Sequence, residues 1–285
     1  MAIVAFWSDE EKETWQTMSM VALSTYMSIE HNYRILNVSA NFKENTLENC
    51  YWDSYKSENL LKTISKDMNE AQKLRQDSFE SGIEGLVRVI NSNKTSNNIV
   101  SSYSKVVFKE RLDVLCATKT QSYEEYSNIS DLYPEILKAA NRDYNFVFID
   151  VSRRMNKEAV DKILEIADLV IINITQRLKT IDKILELKTQ GEIFPKNKYL
   201  INIGRYDQHS KYNTKNIERY LREKNINAIP YNTLYFESCS DGKVAEFFLR
   251  LRRVDEEDRN YIFLDETKKF AENVIYKLKM LQAKI

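Results

Sequence analysis

Two rhythms of apolar and polar residues alternate along this chain. Short continuous apolar runs, with AIVAF at 2–6, FVFID at 146–150 and LVIINI at 169–174 the clearest, punctuate longer stretches whose apolar residues recur every three or four positions. The runs predict strands at 2–6, 34–39, 112–117, 145–151, 169–174, 198–203 and 228–229. The longer stretches predict helices at 11–28, 58–91, 124–140, 157–167, 178–189, 214–224 and 244–252. Strands this uniformly apolar have both faces covered, as in a parallel sheet. Repeated strand–helix alternation then gives an α/β fold, a doubly wound, mostly parallel sheet with helices on both faces. The runs at 2–6 and 145–151 are its expected central neighbours.

At 285 residues the chain suits one large α/β domain. The expected organisation is a single domain over 1–285, with a helical insertion at about 57–92 and a C-terminal helix at about 264–285. The polar stretch NSNKTSNN at 91–98 closes the insertion. In the C-terminal helix Phe270, Val274, Leu278, Leu281 and Ile285 fall at helical spacing among lysines. Packing against the body is the expected fate of that stripe, with a membrane-surface or partner helix as the competing one.

Composition narrows the function classes. Lys+Arg and Asp+Glu each number 42, so the formal net charge is zero and gives no overall reason to expect nucleic acid or an anionic membrane. Cys50, Cys116 and Cys239 are odd in number and far apart, which reads as reduced, buried thiols. No run approaches the roughly 18 apolar residues of a membrane span, and MAIVAF is too short for a secretory signal core. The expected location is the cytoplasm, with recruitment to the membrane or cell pole by a partner.

Candidate chemistry centres on FWSDEEKETWQT, residues 6–17. Strand, turn and helix at this point is where a nucleotide-binding α/β protein places a glycine-rich loop. Here the turn is acidic, and the first glycine of the chain is Gly82. Ser8 is a good N-cap and Glu11 completes a capping box. Asp9 and Glu10 in the first turn would each favour the helix dipole by roughly 0.3–1 kcal/mol. A triphosphate brought there meets like charge, about 1 kcal/mol per pair at 4 Å even in bulk water. Arg153 and Arg154, after the strand ending at Asp150, are candidates to fill the acidic site from within by pairing with Asp9, Glu10 or Glu13. His31 and His209 have no Cys or carboxylate at ligand spacing, so no metal site is expected. Trp7, Trp15, Tyr51 and Trp52 cluster near the first two strand–helix units, in the core or at a protein interface.

The order of these patterns resembles the ParA/MinD class of deviant P-loop ATPases, and within it the CpaE/TadZ branch associated with pilus assembly. The resemblance rests on AIVAFWSDEEKETWQTMSMVALSTYMS, RILNVSANF, YNFVFIDVSRRMNKEAVDKILEIADLVIINITQ, and KYLINIGRYDQHSKYNTKNIERYL with NAIPYNTLYFESCSDGK. The family loop reads K-G-G-x-G-K-T. Laid on this chain, its first lysine falls at Ser8, its glycines at Asp9, Glu10 and Lys12, and its second lysine at Glu13. Thr14 alone matches, at the position that holds Mg²⁺ in the family. The switch I aspartates fall at Ser39 and Asn41, Asp150 matches the Walker B aspartate, and Ser152, Arg153 and Arg154 replace small and proline residues. The adenine-reading asparagine falls at Gly204, with Asn202 nearby and Pro230 at the same base-binding end. Asp150 is expected to hydrogen-bond the first helix turn near Thr14.

What the resemblance implies is a non-catalytic ParA/MinD/TadZ-like protein with no cofactor, a binding or positioning module for a pilus, secretion or conjugation-type assembly. It would work as a homodimer or with a protein partner, through the face carrying the first helix and the Tyr51-Trp52 corner. Two alternatives stand beside this: an atypical ATPase binding Mg-ATP in a dimer through Asp150, Thr14 and the Asn202/Pro230 end, and a DNA partitioning protein.

Overall fold

The computed structural model describes residues 1–10, 14–53, 82–92, 98–190 and 198–283. Its strands form one eight-stranded sheet: β1 (Ala2–Trp7), β2 (Ile35–Ser39), β3 (Lys105–Phe108), β4 (Leu112–Leu115), β5 (Phe146–Asp150), β6 (Leu169–Ile174), β7 (Tyr199–Tyr206) and β8 (Asn227–Pro230). The spatial order is β3-β4-β2-β5-β1-β6-β7-β8. All neighbours are parallel except β3 and β4. As expected, β1 and β5 are central neighbours, and their register sets Phe6 opposite Asp150.

The helices among the described residues are α1 (Gln16–Glu30), α2 (Thr46–Asn49), α3 (Ile83–Asn91), α4 (Ile99–Tyr103), α5 (Tyr123–Ser130), α6 (Tyr133–Ala140) and α7 (Lys157–Ile166). They continue with α8 (Leu178–Gln190), α9 (Thr214–Leu221), α10 (Thr233–Ser240), α11 (Val244–Arg250) and α12 (Tyr261–Gln282). Alternate residues of each strand point to opposite faces. Ala2, Val4 and Phe6 of β1 therefore join α1, α10, α11 and α12 in one core, while Ile3, Ala5 and Trp7 join α3 to α9 in another. This double cover is why the central strands read as unbroken apolar runs.

Several expectations are corrected. The first helix begins at Gln16, five residues later than the sequence suggested, so Ser8 does not cap it; the Ser8 hydroxyl accepts instead from the Glu10 N–H at 3.1 Å. Glu11, the other half of the expected capping box, lies outside the described residues, as do 58–81 of the predicted 58–91 helix and 93–97 of the polar stretch. The predicted 124–140 helix is two, α5 and α6. Strand β3 and helix α10 have no counterpart in the sequence reading. The tail packs on the body as expected, with Phe270, Val274 and Leu278 buried. Ile285 lies outside the described residues. Among the described residues, no helix is long and apolar enough to cross a membrane.

Candidate functional site

Asp150 ends β5 at the carboxyl edge of the sheet, where open α/β folds place their ligand crevice. It is 1% exposed, and three neutral side chains donate to it. The Gln16 amide bonds one carboxylate oxygen at 2.7 Å; the Thr17 hydroxyl, at 2.6 Å, and the Asn41 amide, at 2.7 Å, bond the other. Gln16 also reaches the Val151 carbonyl at 3.0 Å. Burial pushes the Asp150 carboxyl above its usual range, and the three hydrogen bonds oppose that shift without cancelling it. Asp150 thus bonds the first turn of α1 as expected, but through Gln16 and Thr17 rather than Thr14.

The loop entering α1 is held from three sides. Trp15, the residue before the helix, is left-handed at φ 51° and ψ 31° and offers no side-chain cap. A non-glycine residue there costs about 1–3 kcal/mol and persists only when its surroundings impose it. The surroundings are aromatic: the indole stacks on Phe236 with centroids 6.2 Å apart and planes at 9°, and meets Tyr231 at 5.6 Å. The Tyr235 hydroxyl donates to the Met18 carbonyl at 2.6 Å and ties α10 to α1. From below, β7 admits the loop only because residue 204 is glycine; a Cβ there would lie 2.0 Å from the Thr14 carbonyl oxygen. On the far side, Asp9 forms an ion pair with Lys183, and Glu10 accepts from Thr175 and Thr180.

At Asp9 and Glu10 that arrangement departs from the expected arginine pairing; Glu13, the third expected partner, lies outside the described residues. Arg154 pairs with Glu44 at 3.5 Å and donates to the Phe42 carbonyl at 3.4 Å. Arg153 takes no carboxylate among the described residues, although it lines the cavity beside the loop. The cation that meets Asp9, Lys183, comes from α8, a long-range pairing that charge order along the chain does not reveal.

A cavity of about 390 Å³ brings together Thr14, Asn41, Asp150, Arg153 and Arg154 from the sequence-predicted set, with Trp15, Gln16 and Thr17 added. Lys12 and Glu13 lie outside the described residues. Ser39 is buried opposite Asp150 in the β2–β5 register, its hydroxyl without a partner among the described residues. Asn202 lies inside the sheet and donates to the Asn173 side chain at 2.9 Å. Gly204 serves close packing, and Pro230 lines a different cavity beside Arg205 and Tyr231. The Tyr51-Trp52 corner is not an open face: Tyr51 is 7% exposed, and Trp52 packs under Gly242 with Lys105 over its ring. Gln16 and Thr17 were legible only through the helix start, since T-W-Q-T offers two threonines and the periodicity does not choose between them.

No protein-family model matches the sequence, and no curated protein matches it. Among solved structures, the chain is similar to a ParA family ATPase from Chlorobium tepidum, at 15% identity over 95% of this chain and 98% of that one, with a TM-score of 0.65. It is similar to a plasmid partition protein from Borrelia burgdorferi bound to AMPPNP, at 15% identity over 97% and 99%, TM-score 0.59. A third is MinD of Aquifex aeolicus in its MinC:MinD complex, at 11% identity over 95% of each chain, TM-score 0.58. The fold is that of the ParA/MinD P-loop ATPases.

Proposed function

We propose that this chain is a ParA/MinD-type protein that has given up nucleotide chemistry and serves as a binding or positioning module for a membrane-associated assembly of the pilus, secretion or conjugation kind. The observation that carries the first half is the neutral triad on Asp150. In P-loop ATPases the loop threonine and the Walker B aspartate hold Mg²⁺. Here the Thr17 hydroxyl, the Gln16 amide and the Asn41 amide occupy the lone pairs of Asp150 instead.

Ending the family loop at Thr17 places Gln16 at its second lysine and Trp15 at the glycine before it. Trp15 is left-handed at that position but carries a side chain, stacked on Phe236 and set against Tyr231, so the bare backbone that a glycine offers to a phosphate is missing there. Asp9 and Glu10 add like charge. The residues present do not fit Mg-ATP. Losing several charged contacts, each worth a few kcal/mol, puts any residual affinity at millimolar or weaker. The CpaE/TadZ resemblance in sequence, and the partner-bound state of the similar Aquifex MinD, support a role in docking.

One observation favours a second reading, an atypical ATPase acting as a dimer: a threonine hydroxyl and the Asp150 carboxylate still stand side by side, and a cavity lies beside them. Titration calorimetry with Mg-ATP separates the two. We expect no saturable heat at physiological nucleotide and no rise in melting temperature; a micromolar dissociation constant promotes the ATPase.

A further inference from the structure

Cys50, Cys116 and Cys239 are far apart along the chain, but the fold brings two of them together. Cys50 follows α2 and Cys239 lies in the last turn of α10; both are thiols, buried at 1% and 3% exposure in the same core. Backbone contacts join the two places. The Val244 N–H donates to the Cys50 carbonyl at 3.1 Å, and a Cβ on Gly242 would collide with the backbone of Trp52 and Asp53. The Cys50 thiol donates to the Thr46 carbonyl at 3.1 Å, and the Cys239 thiol stands within hydrogen-bonding reach of the Cys50 sulfur. Cys116 follows β4 and is only partly buried. Two tyrosines flank the sulfur pair. Tyr51, next to Cys50, shares a hydrogen bond with Thr25 of α1 at 2.8 Å, and Tyr235, one turn before Cys239, donates to Met18 of α1 at 2.6 Å. The pair therefore sits between the two side chains that clamp α1.

We propose that Cys50 and Cys239 are a modification site, a dithiol that a low-molecular-weight disulfide of the glutathione type converts to a cystine stapling α10 to the chain after α2. In the first exchange one cysteine sulfur attacks the small disulfide, forms a mixed disulfide and releases one small thiol, which carries away the cysteine's proton. In the second the neighbouring cysteine sulfur attacks the protein sulfur of that mixed disulfide and expels the other small thiol with its own proton. Two protein S–H groups become one S–S bond, and the oxidant's S–S bond becomes two S–H groups. The second step is favoured by contact, since effective molarities of well-oriented groups reach about 10⁵ M or more and no free thiol competes at that level. The Cys239 thiol beside it and burial push the Cys50 thiol well above its ordinary value, so the first exchange is slow and waits on local opening. Once made, the bridge would link the two tyrosine clamps and hold the helix whose Phe236 seats Trp15. Neither cysteine lines the Asp150 cavity, so this stands apart from the nucleotide reading.

The test equilibrates the unmodified protein in oxidising glutathione buffer, once from the folded state and once by refolding from urea, so that burial cannot hide the answer. Acid quenching, alkylation and peptide mapping by mass spectrometry follow. We expect one intramolecular link, Cys50 to Cys239, reversed by dithiothreitol, with Cys116 outside it. Amide hydrogen exchange across Met18–Thr25 should slow by about three-fold or more in the linked protein. The same buffer should leave that exchange unchanged in the variant Cys239→Ala; where that variant does not fold, dithiothreitol-treated protein takes its place. If the chain does not refold, diamide on the folded protein replaces glutathione, and the same link is expected. Three alkylated cysteines after refolding or after diamide, a link through Cys116, or glutathione that stays on Cys50 or Cys239 without a link would each overturn the proposal. So would exchange in α1 that is equal with and without the link.

Discussion

Buried carboxylates show how single residues set the behaviour of this protein. One oxygen of Glu48 accepts the Ala117 N–H, and the other is buried without a partner among the described residues. Burial pushes its carboxyl above the ordinary value of 4.5, with backbone hydrogen bonds and Lys105 opposing. A folded-state pKa above the unfolded one means that stability is full below the unfolded value and is lost as pH rises through the folded one. Glu48→Gln keeps an acceptor for Ala117 and cannot ionise. Its stability relative to the unmodified protein should therefore grow from about pH 4 toward about pH 7, measured as thermal unfolding across that window. Gly204 makes the steric counterpart. Gly204→Ala puts a methyl group into the Thr14 carbonyl, so it should cost about 1–3 kcal/mol or more in denaturant unfolding. It should also disturb the Trp15 stack, visible as a change in indole fluorescence.

Elements are held by signals of unequal clarity. Asn156, Asn213 and Asn232 cap α7, α9 and α10 by accepting the N–H of Ala159, Asn216 and Tyr235. Such caps sit next to the helices they start and are legible in sequence. The start of α1 is different. Its preceding residue, Trp15, has no capping side chain, and its position is set by rings from α10 and the β8–α10 connection. The C-terminal helix α12 carries its reason in its own periodicity, and Phe270 and Val274 lie fully buried against α1 and β8. Phe270→Ala should cost about 3–5 kcal/mol, read by chemical denaturation. A loss under 1 kcal/mol would mean the helix is not part of the cooperative fold.

For the whole molecule, the sheet order puts β1 and β5 at the centre and gathers the β1–α1 loop, Asn41 and Asp150 at one carboxyl edge. The cavity beside the acidic loop follows from that gathering. Under the proposed loss of nucleotide binding the sheet would stay untouched, because the side-chain contacts around Asp150 and the loop join the same elements. Gln16 and Thr17 tie α1 to β5, Asn41 adds the chain leaving β2, and Lys183 and Thr180 tie the loop to α8. In this reading the assembly-competent shape is held by side chains and needs no ligand to form.

The α/β class, seven of the eight strands and the docking of the tail were written in the sequence. Burial on both faces demands continuous apolar runs, and burial on one face demands helical spacing; both are local properties. Strand β3 escaped because KVVF lies at the sheet edge, with Val106 more than half exposed. The candidate site was only half legible. Asp150 stood out by its place at the end of a buried strand, and Asn41 through the family resemblance alone. Thr17 in place of Thr14, and Lys183 in place of Arg153 and Arg154, were decided by tertiary structure. Which hydroxyl faces Asp150 depends on where α1 begins, and Trp15 sets that through contacts more than two hundred residues away along the chain. Charge partners across a sheet edge follow strand order, and strand order is fixed by the packing of two cores that no short window of sequence contains.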